Sequence, residues 1–204
     1  MPRQAFYTDT EHNPLKKAVG FFPACAACGL LKKCQSPQMP VYGKGKRKVM
    51  IIGEAPGANE DRDNRPFHPQ GNSGDKLRTT LARLGVDLDR DCWTTNSLVC
   101  RPPGNATPTP QQIEYCRPNL LKAFHDLKPD VVIPLGGAAI RSVIGYCWKE
   151  NPGEVERWVR WQIPAQKINA WVCPSWHPSY LLHEKNPIND MWFESHLEEA
   201  FALK

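Results

Sequence analysis

Val49-Met50-Ile51-Ile52-Gly53-Glu54-Ala55-Pro56-Gly57 is the stretch whose reading decides the fold. An apolar run rich in β-branched residues that stops at Gly and Pro reads as a buried parallel strand ending in a tight loop. A strand covered on both faces shows no polar alternation. Glu54 falls at the break. In open α/β sheets ligands gather outside the carboxyl ends of the strands, which places this carboxylate where chemistry occurs. Taken alone, Glu54 fits a solvated loop equally well, so the neighbouring segments carry the argument.

Those segments alternate. Residues 59–74 hold Asp61, Arg62, Pro66, Phe67, His68, Pro69, Gly71 and Gly74, a density of breakers that predicts an irregular and functional loop. From Ser73, a plausible N-cap, the spacing Leu77, Leu81, Leu84 predicts a helix that stops at Gly85. Residues 93–99 read as a second strand, ending at Cys100-Arg101-Pro102-Pro103-Gly104. Thr109-Pro110 opens a helix whose buried stripe is Ile113, Cys116, Leu120, Leu121 and Phe124. Residues 130–137 give a third strand and turn, with a helix over 138–145 behind it. Residues 148–162, charged and Trp-rich, suggest no definite shape. Residues 170–175 form a fourth strand, delivering 176–182 as a loop, and 187–202 form the closing helix. Strands separated by helices of this length are βαβ units. The expected fold class is therefore α/β, a three-layer α/β/α sandwich around a central four-stranded parallel sheet. Residues 1–204 make a single domain, of which 1–47 are a lead-in and linker.

Composition bounds the function. At 204 residues and 41% hydrophobic, the chain can bury one sizeable core. A formal charge of +5 permits a polyanionic partner without establishing one. No apolar run is long enough to cross a bilayer, and Met1-Pro2-Arg3-Gln4 begins no signal-peptide core, so a cytoplasmic protein is expected. The segment 35–47, with Lys44, Lys46 and Arg47, is either a phosphate-meeting linker or a solvated connection. Eight cysteines in a reducing compartment argue for a metal or cluster before disulfides. Cys25-Ala26-Ala27-Cys28 is half of such a site, since its spacing lets two thiolates converge.

Glu54, Asn96 and His177 each stand at or near the end of a different predicted strand, so a parallel sheet gathers them on one rim. Singly, each has an ordinary structural explanation: a loop carboxylate, a strand Asn capping a turn, a His held before a Pro. Together with Phe67 they supply a base, an amide able to read a planar edge, a donor and a stacking face.

Five motifs in order resemble the iron-sulfur (family 4) uracil-DNA glycosylases: Gly53-Glu54-Ala55-Pro56-Gly57, Glu60-Asp61, Arg65-Pro66-Phe67, Thr95-Asn96 with Cys100-Arg101-Pro102-Pro103-Gly104-Asn105, and His177-Pro178-Ser179. The resemblance spans roughly residues 25 to 185. It implies an enzyme that flips uracil out of single- or double-stranded DNA and hydrolyses its N-glycosidic bond, working as a monomer. It implies Glu54 and His177 as catalytic residues, and Gly53, Ala55, Phe67 and Asn96 around the base. Arg101, Ser179, Tyr180 and Leu181 would face DNA, the last two as a wedge. The alternative is a catalytically silent or altered-specificity paralogue of the same fold.

The resemblance also implies a [4Fe-4S] cluster on Cys25, Cys28, Cys100 and Cys116. Spacing alone leaves a four-thiolate zinc site open, although the second pair lacks the close knuckle of common zinc modules. Cys34, Cys92, Cys147 and Cys173 are then expected as small buried apolar residues. The chain departs from the family after Phe67. The run His68-Pro69-Gln70-Gly71-Asn72-Ser73-Gly74 is two residues longer than the family's Val-Gly-x-Ala-Gly, and it could reshape the pocket or bring His68 near the sugar. After Leu182, where the family often has a basic residue, stands His183.

Overall fold

A computed structural model describes residues 25–148 and 151–203; the lead-in expected over 1–24 lies outside them. The strands in chain order are β1 (Val49–Gly53), β2 (Cys92–Asn96), β3 (Val131–Pro134), β4 (Ile163–Ala165) and β5 (Ala170–Val172). They lie side by side in the order β2-β1-β3-β5-β4. All five residues of β1 are buried, as expected of a strand covered on both faces.

Alternation along β1 builds the two outer layers. Met50 and Ile52 face one cluster, with Leu120, Phe124, Val132, Ile140 and Ile144. Val49 and Ile51 face the other, with Leu77, Leu81, Ile133, Phe193 and Leu197. The helices in chain order are α1 (Cys25–Cys28), α2 (Ala58–Asp63), α3 (Asn72–Arg83), α4 (Leu88–Asp91), α5 (Pro110–Leu127), α6 (Gly136–Cys147), α7 (Pro178–Glu184) and α8 (Pro187–Ala202). Helices α5 and α6 supply the first layer, and α3 and α8 supply the second. Each large side chain in these layers contributes about 1.5–3 kcal/mol by leaving water. Capping reinforces the pattern at α5, where Thr109 Oγ1 accepts from the Gln112 N–H at 3.2 Å and Gln112 Oε1 accepts from the Thr109 N–H at 3.0 Å.

Three sequence expectations need correction. Among the described residues the sheet has five strands: the expected parallel four, and β4, which pairs antiparallel on β5 with Ile163 opposite Val172. A three-residue strand with Pro164 inside it carries no alternation to read and is tolerated because it sits at the sheet edge. The segment 59–74 is not irregular throughout, since α2 occupies its start and ends where Asn64 turns left-handed at φ 51°. Finally, 178–184 is helical, with Pro178 in its first turn, where the missing N–H costs nothing.

Candidate active site

The register of the sheet assembles the rim. Gly53 pairs with Asn96, so the ends of β1 and β2 are level and Glu54 follows at the same rim, its carbonyl accepting from Ser97 Oγ at 2.6 Å. Beyond β3 and β5 the chain continues as a parallel bridge between Leu135 and Ser175, and the Gly136 N–H donates to the Ser175 carbonyl at 2.9 Å. His177 thereby arrives at the same edge. Gly136 has φ 80°, and a Cβ on it would lie 2.8 Å from the Cβ of His177, so this approach requires glycine. A cavity of about 470 Å³ opens here, with Glu54, Phe67, His68, Asn96 and His177 in its wall.

Asn96 is buried, and its Nδ2 has no hydrogen-bond partner among the described residues. A buried amide donor left unpaired costs about 1–3 kcal/mol, a penalty that a bound partner removes. Its Oδ1 lies against Gly53, where a Cβ would come within 2.3 Å of that oxygen and 2.8 Å of Phe67 Cζ. Glycine at 53 is what allows amide and ring to share the pocket floor.

Phe67 is held in a conformation that non-glycine residues seldom adopt, φ 49°. Its N–H donates to Glu60 Oε1, and its carbonyl accepts from Arg78 Nε at 3.2 Å. Glu60 Oε2 takes the Gly57 N–H at 2.6 Å, so one carboxylate pins the loops on both sides of the cavity. Burial pushes the Glu60 carboxyl up, and the N–H groups of Gly57, Phe67 and His68 oppose that shift. The Phe67 ring stands 6.3 Å from the His177 ring at an interplanar angle of 31°, and both line the cavity.

His177 Nδ1 accepts from the Ser179 N–H at 3.3 Å and lies 2.7 Å from Ser179 Oγ. The backbone donor fixes Nδ1 as an acceptor, so the neutral ring carries its proton on Nε2. Burial lowers the His177 pKa to about 4 and keeps the ring neutral at physiological pH. Burial acts oppositely on Glu54, raising its carboxyl above the usual range while no side-chain partner among the described residues engages it.

His68 also lines the cavity, with both ring nitrogens occupied. Nε2 pairs with Asp63 Oδ2 at 2.9 Å, and Nδ1 accepts from the Gln70 N–H at 3.1 Å. The longer loop thus uses His68 to fold on itself. Ser179 and His183 stand at the mouth. Tyr180 is 37% exposed and stacks on Trp176 with centroids 6.1 Å apart. Leu181 corrects the expectation of a wedge at that position. It is 3% exposed and packs in the core, because the turn of α7 points residue 181 inward and leaves Leu182, 37% exposed, beside Tyr180. Arg101 donates from Nε to Asn105 Oδ1 at 2.8 Å.

The cysteines gather behind the rim. α1 packs on α5, and Cys100 and Cys116 form a small buried cluster against which Cys28, Cys34 and Ala55 rest. N–H groups point at the sulfurs: Gln38 N to Cys100 at 3.3 Å, Gln38 Nε2 to Cys25 at 3.2 Å, and Val99 N to Cys116 at 3.4 Å. Among the described residues, no three His, Cys, Asp or Glu side chains converge as ligands of a single ion. A cluster takes each thiolate on a different iron, so its ligand sulfurs stand farther apart than those of one zinc. Burial pushes the Cys100 thiol up to about 12 and the Cys116 thiol up to about 11. Both are therefore held as neutral thiols unless a cation stands beside them. Cys92, Cys147 and Cys173 are buried small residues, as expected. Cys34 is not. It is partly exposed, and its thiol lies beside that of Cys100.

Sequence reasoning gave no role to Glu60 as the clamp on Phe67, to Gln38 at the sulfurs, or to Asp61 as an anchor. Buried Asp61 accepts from the N–H groups of Gln35 and Ser36 at 3.1 and 2.8 Å, tying the cysteine-bearing segment to α2. A signal for Glu60 was present: an acid three residues after Gly57, at the spacing that reaches back to a helix start.

The model of the uracil DNA glycosylase superfamily matches residues 40–201, and the chain belongs to that superfamily. It is similar to the type-4 uracil-DNA glycosylase of Pyrobaculum aerophilum, 34% identical over 83% of this chain and 85% of that protein. The enzyme of the same name from Saccharolobus solfataricus is 35% identical over 87% of this chain and 78% of its own length. That of Archaeoglobus fulgidus is 31% identical over 78% and 79%.

Proposed function

We propose that this protein is a DNA-repair uracil-DNA glycosylase, which extrudes uracil from DNA, hydrolyses the bond between the base and C1′, and leaves an abasic site. The observation that carries the reading is the buried Asn96 Nδ2, without a partner among the described residues, in the cavity that Phe67 also lines. Uracil offers an N3–H donor and an O4 acceptor on one edge. The Asn96 amide accepts from the first through Oδ1 and donates to the second through Nδ2, while Phe67 stacks on the base. Cytosine presents the reverse pattern and would leave the amide unpaired, at a cost of about 1–3 kcal/mol. These contacts offset the few kcal/mol needed to unstack the base.

As the C1′–N1 bond lengthens, its electron pair moves into the uracil ring and negative charge grows on O2. His177 meets that charge with its Nε2 proton, held in place by the Ser179 N–H on the other nitrogen. Positive charge grows on the sugar. Glu54, ionised, orients a water whose oxygen bonds to C1′ and accepts the proton that water gives up. Its charge stabilises the sugar until that bond forms, and uracil leaves as the anion that takes the electron pair of the broken C1′–N1 bond and is protonated from solvent. Gly53 and Ala55 leave room for the base, and Arg101, Ser179 and Tyr180 meet the strand.

Cys25, Cys28, Cys100 and Cys116 would hold a [4Fe-4S] cluster. Support comes from the all-thiol donor set and the N–H groups aimed at three of its sulfurs. When bound, the cluster supplies a crosslink between α1, α5 and the Cys100–Arg101 turn. No helix among the described residues is long and apolar enough to cross a membrane, and the reading takes the protein as a cytoplasmic monomer. The test is release of free uracil from a labelled uracil-containing oligonucleotide, with a matched cytosine strand as control. Uracil release with the control intact supports the proposal. A folded, cluster-loaded protein that releases none removes it and leaves a silent paralogue.

A further inference from the structure

Beside the uracil pocket runs a second, open groove lined by Lys32, Lys33, Cys34, Arg62 and Arg101, with Asp61 at its floor. The two depressions share Ala58 and Asn59 in their walls, so they lie side by side on one face. Four cations line the groove against one carboxylate. That carboxylate, Asp61, is buried and already committed to the N–H groups of Gln35 and Ser36, with Arg101 Nη1 4.0 Å away. Arg62 is held by Asp63 through two short bonds of 2.8 and 2.7 Å. Lys32 and Lys33 are exposed, and no carboxylate among the described residues pairs with either. The groove therefore keeps a net positive charge, concentrated on its two lysines.

We propose that this groove carries the phosphates of the uracil-bearing strand on one side of the flipped nucleotide, with Lys32 and Lys33 as the principal contacts. The inference rests on the glycosylase reading of the pocket. A base held in the cavity puts its own sugar at the mouth, and the strand must leave that mouth in two directions. One direction meets α7, with Ser179, Tyr180, Leu182 and His183, which offer a hydroxyl, an imidazole and apolar surface. The other meets the lysines. A polyanion is drawn to the cationic side, and each neutralised phosphate releases counterions, which makes such contacts visible in the salt dependence of binding. The lysine segment is fastened to α2 through Asp61 and adjoins the Cys34–Cys100 contact, so the groove is a formed surface.

The experiment measures binding of the cluster-loaded protein to a fluorescent oligonucleotide bearing a tetrahydrofuran abasic analogue, across a series of salt concentrations, by anisotropy. This probe needs no excision. Lys32→Gln/Lys33→Gln should lower the slope of log affinity against log salt by roughly 1.4 on single strands and 1.8 on duplex, two phosphates' worth. Lys32→Arg/Lys33→Arg should restore the parent slope, which a loss of folding would not permit. Lys122→Ala/Lys128→Asn serves as control. Lys128 caps the C-terminus of α5, three residues before β3 begins, beyond the amino ends of the strands and so away from the pocket at their carboxyl ends, and the control should keep the parent slope. A Gln variant that keeps the parent slope overturns the groove, and so does a control that loses as much. Absence of uracil release by the parent, with the slope changes intact, would instead strike the glycosylase reading and leave the groove standing.

Discussion

The pocket and the thiol site meet at Ala55, yet they are built in opposite ways. Around the pocket the sheet does the positioning: Gly53 and Asn96 are level because β1 and β2 are in register, and His177 reaches the rim because the chain beyond β5 runs parallel to that beyond β3. Two of the side chains are then locked by a second group, Phe67 by Glu60 and His177 by Ser179. The thiols instead come from three separate stretches, a four-residue helix, a turn and the middle of α5, joined largely through N–H contacts to sulfur. The rim is thus preorganised by the fold, whereas the thiol site is assembled from pieces that a bound cluster would hold together. On the proposed function, the difference is the one expected between a region that performs chemistry and one whose structure a cofactor completes.

The largest effects should fall on the rim. Glu54→Ala and His177→Ala should each lower the single-turnover excision rate at saturating enzyme by about 10²- to 10⁴-fold while uracil-containing DNA still binds. Rates within about threefold of the parent for both would break the comparison, since the rim would then not be the catalytic region. Asn96→Asp should damage uracil release as well and turn selectivity toward cytosine, whose amine can donate to the new carboxylate; a cytosine-strand assay reads this directly.

On the other side of the comparison, Cys100→Ser should lose visible iron-sulfur absorbance near roughly 400 nm together with solubility, whereas Cys34→Ser should keep the absorbance. Equal loss in both would make Cys34 a ligand. A colourless parent carrying stoichiometric zinc would remove the cluster and leave the rim untouched.

Core packing comes next in size. Leu181→Ala should lower stability by about 2–5 kcal/mol, because it empties a core position, while Leu182→Ala should leave the melting temperature near the parent's. Chemical denaturation of the two variants sharpens the boundary between the core and the DNA-facing side of α7.

The smallest effects are those of pH. Glu54 must be ionised, and burial raises its pKa, so excision should fall on the acid side above the usual carboxylate range, a limb that Glu54→Gln should abolish. His177 and His196 both have pKa values lowered to about 4 by burial. The unfolded chain binds protons that the fold refuses, so their contribution to stability is complete above the ordinary histidine value of 6.5 and declines as pH falls toward 4. The raised Glu54 and Glu60 carboxyls act in the opposite direction over the same range, so thermal melts of the parent and of His177→Ala are compared between those limits; an identical pH dependence for the two would deny that His177 is desolvated.

The sequence by itself determined the alternation of strands and helices, the parallel sheet and the convergence of Glu54, Asn96 and His177. These depend on apolar periodicity and on the rule that parallel strand ends share an edge, both of which are local or topological. It also marked the four cysteines, through motif order rather than geometry. Only the tertiary structure decided the rest. β4 exists because the edge beside β5 was available to a three-residue segment with no pattern of its own. Leu181 faces inward because a helical turn replaced the expected loop, and a single step along a helix exchanges core for surface. His68 is bound by Asp63, and Cys34 lies beside Cys100, through contacts between residues whose separation in sequence carries no signal. The same holds for the Glu60 clamp on Phe67, whose left-handed backbone is stable because the carboxylate and Arg78 hold it from either side. Periodicity reports which face of an element is buried; which side chains then meet is settled by packing.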